Sequence, residues 1–230
     1  SNNSLSGGLP IEIGNLVNLE YLDVSSNEIS GEIIYDLGIL TELEVLDLSG
    51  NQLSGEIPVE LSSLSSLTNL DLSSNQISGE IPMGLWGMTN LENLNLSFTN
   101  LSGVLSDDIG NLVNLTELDL SNSSFFGLIP NEICNQGDPS PSLSNNEFCP
   151  MYPDCISEED LGSQDTSLCP PPGDINQDET VDIVDVIFVI QIILEIYLPN
   201  LVEELSADYN YDGSIDIVDV VMMVNLILSN

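Results

Sequence analysis

The sequence repeats itself every 24 residues through most of its first 135 positions. Leucine or methionine recurs at Leu16, Leu40, Leu64, Met88 and Leu112, and each opens the pattern LxxLxxLxLSxNxLSGxIPxxL. A fixed period of this length is typical of a solenoid, because one unit cannot bury its apolar face alone and must stack on its neighbours. The pattern therefore predicts a stack of coils that share one core.

The pattern also predicts which side chains face that core. In residues 40–63 the inward positions are Leu43, Leu46, Leu48, Leu53, Ile57 and Leu61, the first three of them around a short strand. An inward Asn recurs at the bend, where its amide can donate to and accept from the backbone of adjacent coils. The predicted ladder comprises Asn3, Asn27, Asn51, Asn75, then Thr99 and Ser123, and Asn146 in a shortened coil. Because a hydroxyl satisfies fewer backbone groups, we expect the coils of Thr99 and Ser123 to be looser.

The segments LDLSGNQLSGEIP and LDLSSNQISGEIP resemble the plant-type leucine-rich repeat, over residues 1–135. The resemblance implies an α/β-type repeat solenoid with a parallel β-sheet on its concave face. Because SNNSLSGGLP aligns with SSNQISGEIP, the first repeat is incomplete, and we expect an exposed strand edge there that can accept a further strand.

The four cysteines all follow the regular repeats. They fall at Cys134, Cys149, Cys155 and Cys169, so residues 136–169 are interpreted as a disulfide-stapled cap. Four cysteines allow three pairings, of which we favour Cys134 with Cys155 and Cys149 with Cys169. A zinc site is the weaker alternative, because CxxC pairs and histidine are missing. Clustered disulfides indicate an extracellular or cell-surface location. The prolines at 170–172 predict a stiff linker between the cap and the remainder of the chain.

The charge balance restricts the possible functions. The chain carries 38 acidic residues and no Lys, Arg or His. Such a surface repels nucleic acid and attracts divalent cations. The general bases and phosphate clamps of most enzymes are missing, so we expect no enzymatic activity. We also expect no membrane insertion, because the apolar run 181–198 contains acidic residues and is shorter than the roughly 20 residues of a span.

Paired carboxylates are the remaining catalytic possibility, since two of them can hydrolyse a glycoside. Asp23, Asp47, Asp71 and Asp119, with Asn95 between, are predicted to form one column of the concave sheet at about 4.8 Å spacing. The same residues are ordinary for this repeat, so we interpret them as a surface that cations screen.

Residues 173–230 contain two related segments, GDINQDETVDIVDVIFVIQIIL and ADYNYDGSIDIVDVVMMVNLIL. Each places oxygen ligands at the loop positions of a calcium site that runs into a helix. In the first loop the candidate ligands are Asp174, Asn176, Asp178, the Thr180 carbonyl, Asp182 and Asp185. In the second loop they are Asp208, Asn210, Asp212, the Ser214 carbonyl, Asp216 and Asp219.

This duplicated loop and helix resembles a dockerin domain, a calcium-folded module that binds cohesin domains. The resemblance implies two calcium ions and a small all-α domain over 173–230. Glu179 replaces the usual loop glycine, whereas Gly213 keeps it, so we expect the first site to be strained or weaker. The positions that carry hydroxyl and basic recognition residues in many dockerins are apolar here except for one amide in each copy: they are Ile183, Val184, Ile190 and Gln191, and Ile217, Val218, Val224 and Asn225. We expect a partner interface on Ile183, Val184, Phe188, Ile217, Val218 and Met222.

Two functions remain open from the sequence. The first is an extracellular structural protein that self-associates through its solenoid ends and its apolar dockerin-like helices into a filament or surface layer. The second is a binding module whose repeat domain holds a peptide or glycan while the dockerin-like domain docks on a cohesin-like receptor. Calcium is expected to stabilise either one.

Overall fold

A computed structural model of the chain describes residues 3–150, 152–167, 169–178, 180–210 and 214–229. The chain divides into two compact units, Ser1–Thr166 and Ser167–Asn230. Glu179, Asp212 and Gly213, which the sequence analysis singled out, lie outside the described residues. Within the described residues no helix is both long and apolar enough to cross a bilayer.

The first unit is the solenoid that the repeat predicts. Each regular coil contributes a strand, a bend, a second strand and a five-residue 3-10 helix. The described strands are β1 Ser6–Gly7, β2 Tyr21–Asp23, β3 Glu28–Glu32, β4 Val45–Asp47, β5 Gln52–Gly55, β6 Asn69–Asp71, β7 Gln76–Gly79, β8 Asn93–Asn95, β9 Asn100–Gly103, β10 Glu117–Asp119, β11 Ser124–Gly127 and β12 Glu147–Phe148. The 3-10 helices span Ile11–Asn15, Tyr35–Ile39, Val59–Ser63, Met83–Gly87, Asp107–Asn111 and Asn131–Asn135.

These strands form two parallel sheets. One has the order β10-β8-β6-β4-β2, and the other has the order β1-β3-β5-β7-β9-β11-β12. The five-stranded sheet pairs equivalent residues, for example Asp47 with Asp71, so the aspartates lie in one column as predicted. The seven-stranded sheet is additional, because residues 52–55, which the sequence analysis treated only as a turn, also pair from coil to coil.

The core of the solenoid consists of the predicted leucines. Leu43, Leu46, Leu48 and Leu53 are fully buried, and Leu61 is 1% exposed. The amide ladder forms as expected: Asn75 accepts the Leu53 N–H at 3.0 Å and donates to three carbonyl groups of two coils. Burial removes the leucines from water, and the amides satisfy the backbone at the bend.

The ladder changes where the sequence changes. The Thr99 hydroxyl donates to the Leu96 carbonyl at 2.9 Å and lies 3.0 Å from the Ser123 hydroxyl. Asn146 restores an amide to the ladder: it accepts the Phe125 N–H and donates to the Leu120 and Leu143 carbonyls, two groups rather than the three of Asn75. Gln164, which the sequence analysis did not include, does the same one coil further on.

The cap is covalently stapled. Cys134 and Cys155 form a disulfide, with a Cα–Cα distance of 5.7 Å. Cys149 and Cys169 are also disulfide-bonded. A short helix, α1 Glu158–Leu161, begins at Ser157, whose side chain and that of Asp160 cap each other's backbone N–H groups. These constraints close the core of the first unit at its C-terminal end.

The second unit is helical in its described part. It contains α2 Ile183–Ile193, α3 Leu201–Ala207 and α4 Ile217–Ser229. Its core is small, and its buried apolar residues are Ile175, Val186, Val189, Ala207, Val220 and Met223. Helix α3 lies between the two loops, and Asn200 caps its N-terminus.

Candidate functional site

The first loop of the second unit is organised by the carboxylate of Asp185. Asp185 is fully buried. Its Oδ1 accepts the N–H groups of Ile175 and Asn176 at 2.9 and 3.2 Å, and its Oδ2 accepts that of Asp182 at 2.9 Å. Asp185, the last predicted ligand, lies in the first turn of α2. Its hydrogen bonds therefore hold the start of the loop against the start of the helix.

The other predicted ligands of this loop are held by local hydrogen bonds. Asp174 is 3% exposed, and its Oδ1 accepts the Asp178 N–H at 3.1 Å. Asn176 donates to Asp178 Oδ2 at 2.9 Å. The Thr180 hydroxyl and then the Asn176 amide lower the pKa of Asp178. The loop thus keeps this carboxylate ionised, as a cation ligand must be.

The second loop repeats this arrangement in its described part. Asp219 is fully buried and accepts the Asn210 N–H at 3.0 Å and the Asp216 N–H at 2.8 Å. Asp208 is 4% exposed. Asp212 lies outside the described residues, and Ser214 is described and exposed. Both loops therefore bury their first and last acidic positions.

The two loops bury four carboxylates close to one another in sequence, and the chain has no basic side chain to neutralise them. Asp174, Asp185, Asp208 and Asp219 are all buried, whereas the sequence has no Lys, Arg or His. A buried charge is stable only when it is paired or binds a metal. An oxygen-only donor set suits calcium, which takes six to eight oxygen ligands. In the described residues no three acidic side chains are gathered around one point, so the fit rests on burial and donor chemistry.

The helices that follow the loops expose four apolar side chains each over residues 183–190 and 217–224, three of them at equivalent positions. The exposed residues are Ile183, Val184, Ile187 and Ile190 on α2, and Ile217, Val218, Val221 and Met222 on α4. We call these two sets the apolar faces. Phe188 is only half-buried and packs edge-on against Tyr197, with ring centroids 5.6 Å apart. Ile187 and Val221 were not among the interface residues predicted from the sequence. Each lies one helical turn after Ile183 or Ile217, so it is on the same side of its helix.

The aspartate column of the first unit has a structural role in its own coils. Asp23 and Asp47 accept hydrogen bonds from the hydroxyl and N–H of Ser25 and Ser49. Burial raises the pKa of Asp71, and the negative charge of Asp47 adds to this, whereas the hydrogen bonds of Ser73 oppose it. The carboxylates therefore stabilise the turn that follows each strand. This structural role is sufficient to explain why aspartate recurs in the column.

Comparison with known families identifies both units. The family described as leucine-rich repeat region matches residues 10–131, and the dockerin type I domain matches residues 172–228. Both families are generally non-catalytic binding domains. Dockerin type I domains typically bind calcium, and the two families together point to an extracellular or surface protein. No curated protein matches the chain.

Solved structures resemble the first unit. The Arabidopsis receptor kinase HAESA, in complex with the peptide hormone IDA and the co-receptor SERK1, is 34% identical, with a TM-score of 0.63 over 67% of this chain and 26% of that chain. The Arabidopsis receptor kinase ectodomain GASSHO1/SCHENGEN3, in complex with CASPARIAN STRIP INTEGRITY FACTOR 2, is 35% identical, with a TM-score of 0.60 over 64% of this chain and 18% of that chain. A plant ice-binding protein shares the fold at 24% identity, with a TM-score of 0.53 over 72% of this chain and 62% of that chain. The chain thus spans about a fifth to a quarter of the length of the two receptors.

Proposed function

Because this chain belongs to the leucine-rich repeat family and carries a dockerin type I domain, we propose that it is an extracellular assembly protein that associates with further copies of itself through its dockerin helices. The two families indicate an extracellular protein–protein interaction module. The self-association is our proposal, and the observation that carries it is the pair of apolar faces on α2 and α4.

The absence of charged side chains from the apolar faces favours contact between copies of the chain at these faces. A chain of net charge −38 repels its own copies wherever carboxylates meet, and no basic side chain is present to pair with them. The apolar faces bring no charge to the contact, since their exposed members are aliphatic residues or methionine. Two acidic chains can therefore bury these side chains against each other and gain hydrophobic stabilisation.

Duplication gives each chain two such faces. Ile183, Val184 and Ile187 on α2 correspond to Ile217, Val218 and Val221 on α4, at the same distance from their loops. If each face meets a face on a different copy, the contact repeats without closing, and a filament or surface layer results. Met222 belongs to the α4 face, and its counterpart on α2, the half-buried Phe188, would border the contact.

Calcium would hold the helices in place for this contact. The proposed ligands are Asp174, Asn176, Asp178, Thr180, Asp182 and Asp185 in the first loop, and Asp208, Asn210, Asp212, Ser214, Asp216 and Asp219 in the second. Bound calcium neutralises the buried carboxylates. Two ions, one in each loop, would make the unit and its assembly depend on calcium.

A second candidate function has its own support. The dockerin family match favours docking of the same faces on a cohesin-like receptor, and the concave sheet of the repeat unit would then hold a peptide or glycan. In that arrangement the chain stays single until the receptor is added.

Electron microscopy and light scattering of the full chain in calcium test the proposal. We expect filaments or sheets that disappear when a chelator is added. The double variant Ile187→Glu and Val221→Glu places a charge in each face, and we expect it to remain dispersed in calcium.

The matched control is Val59→Glu combined with Met83→Glu. These residues are 57% and 64% exposed on the 3-10 helices of the solenoid, so the variant adds the same charge to exposed apolar sites away from the faces. It should assemble like the unmodified chain. Single particles of the unmodified chain at all concentrations in calcium would contradict self-association and leave the receptor-docking function.

A further inference from the structure

Phe98 has an unusual backbone conformation for an aromatic residue. Its φ is 53°, in the left-handed region that glycine and asparagine tolerate best. The same position in other coils holds Ser26, Gly50, Ser74, Asn122 and Asn145. The Phe98 side chain is 59% exposed, so little burial offsets the strain. The bend imposes this conformation on all of these coils, so the unusual feature is the exposed phenyl ring at this position. Such a ring costs stability without burial in return, which favours a contact with another molecule.

Hydrogen bonds connect the neighbouring coils along this row. Asn145 Nδ2 donates to Asn122 Oδ1 at 2.9 Å. The Phe98 N–H donates to the Ser121 carbonyl at 3.0 Å, and the Asn122 N–H donates to the Ser144 carbonyl at 2.8 Å, so the three coils keep one register. At the spacing of adjacent strands, Phe98, Asn122 and Asn145 form a row about 10 Å long.

A polar cavity continues this row. Its volume is about 490 Å³. It is lined by Ser123, Asn145, Asn146, Glu147, Ser163, Gln164 and Asp165. Asn146 and Gln164 direct their amides to the backbone. Asn145, Glu147 and Ser163 supply a carboxamide, a carboxylate and a hydroxyl, which together donate and accept hydrogen bonds.

We propose that Phe98, Asn122 and this cavity form a binding site for a neutral oligosaccharide. The C–H face of a sugar ring packs on the exposed phenyl ring, and the sugar hydroxyls exchange hydrogen bonds with the carboxamides of the row and the carboxylate and hydroxyl of the cavity. The site rests on the second candidate function, in which the repeat unit holds a ligand, and it does not require self-association.

The charges around the row favour a neutral ligand. An anionic glycan is repelled by the net charge of −38. Glu147 and Asp165 of the cavity would attract a cationic peptide. At the Phe98 end of the row, however, the strand ends in Asn95, where the other strands of its sheet end in Asp23, Asp47, Asp71 and Asp119. The charge of the column is therefore interrupted where the aromatic ring is exposed.

Isothermal titration calorimetry of the full chain in calcium tests this site. The probes are neutral gluco-, xylo- and manno-hexaoses, with hexalysine as the cationic comparison. We expect one of the hexaoses to bind and Phe98→Asn to weaken it by about tenfold or more. The same variant should leave the melting temperature of the repeat unit unchanged or raise it by about 2 °C, because asparagine tolerates the left-handed backbone.

Two further variants separate a stacking role from a general surface effect. Phe98→Tyr keeps the ring and should bind like the unmodified chain. Tyr35→Asn removes an aromatic side chain that is 65% exposed at the start of a 3-10 helix, and it should also leave binding unchanged.

Failure of all three hexaoses to bind at millimolar concentration would overturn the proposal, as would equal binding by Phe98→Asn. Hexalysine binding that is lost in Phe98→Asn would also overturn it, because the site would then belong to a cationic peptide. The Ile187→Glu and Val221→Glu double variant should bind the hexaose normally, so loss of assembly and loss of glycan binding are separate outcomes.

Discussion

The two units stabilise an acidic chain in different ways. The repeat unit buries a long row of leucines and satisfies its bends with its own amides, and its one buried aspartate among the described residues, Asp138, accepts the N–H groups of Leu118 and Ser140. The dockerin unit buries four aspartates, Asp174, Asp185, Asp208 and Asp219, beside a small apolar core. We therefore expect the second unit to depend on a cation from solution far more than the first.

Chelation is the strongest way to test this difference. Removal of calcium should unfold the dockerin unit, because four buried carboxylates then lack their counter-charge and a module of about 58 residues buries too little surface to compensate. The repeat unit should persist. Hydrogen exchange read by mass spectrometry in calcium and in chelator separates the two units.

The expected result is loss of protection in α2 and α4 with unchanged protection in β4 to β9. Magnesium in place of calcium is the control, since its smaller octahedral shell suits this ligand set less well. Equal protection of α2 and α4 with and without chelator would contradict the calcium assignment.

Most of the repeat unit could be predicted from the sequence, because each 24-residue period corresponds to one coil of the solenoid. Leucine spacing specified the core, and the recurring Asn specified the ladder. The second sheet was not predicted, since QLSG and QISG read as turns until coil stacking pairs them. Gln164 was missed because the degraded cap has no period to place it. In the dockerin unit the loop spacing gives a set of calcium ligands that stays a prediction. The exposure of Ile187 and Val221 was not predicted, because it depends on how α2 and α4 pack, which an almost uniformly apolar sequence does not encode.

The ladder offers a matching test of the repeat unit. Asn75→Ala removes the acceptor of the Leu53 N–H and one donor to each of three carbonyl groups, of which that of Ser73 still accepts the Gly50 N–H. We expect this change to destabilise the unit by about 3 kcal/mol. Chemical denaturation of the full chain, followed by the fluorescence of the buried Trp86, measures this in the repeat unit.

Asn75→Thr is the matched control, because Thr99 fills the same position in the next coil. We expect roughly half the loss, about 1.5 kcal/mol, since the hydroxyl keeps a donor to the backbone. Equal stability of the alanine variant and the unmodified chain would show that the amide ladder does not stabilise the stack.

The smallest predicted effect concerns the aspartate column. Burial raises the pKa of Asp71, with the charge of Asp47 adding to it, so the folded repeat unit binds the proton more tightly than the unfolded chain. The protonated form therefore adds stability that is fully present below the unfolded pKa of 3.8 and is lost as pH rises through the higher folded pKa. Asp71→Asn should raise stability at pH 7 by about 0.5 kcal/mol, allowing for solvent screening, and this gain should vanish below pH 3.8.

Asp23→Asn is the control of opposite sign. The Ser25 hydroxyl and N–H lower the pKa of Asp23, so its carboxylate adds stability above the unfolded pKa of 3.8 that is lost as pH falls through the lower folded pKa. Asp23→Asn should thus lower the melting temperature at pH 7, where Asp71→Asn raises it. Each variant creates an N-glycosylation sequence, Asn-Val-Ser at 23–25 or Asn-Leu-Ser at 71–73, so both should be made in a host that does not N-glycosylate. A shift of the same sign in both would show that net charge, rather than the local environment of each carboxylate, controls the stability of the column.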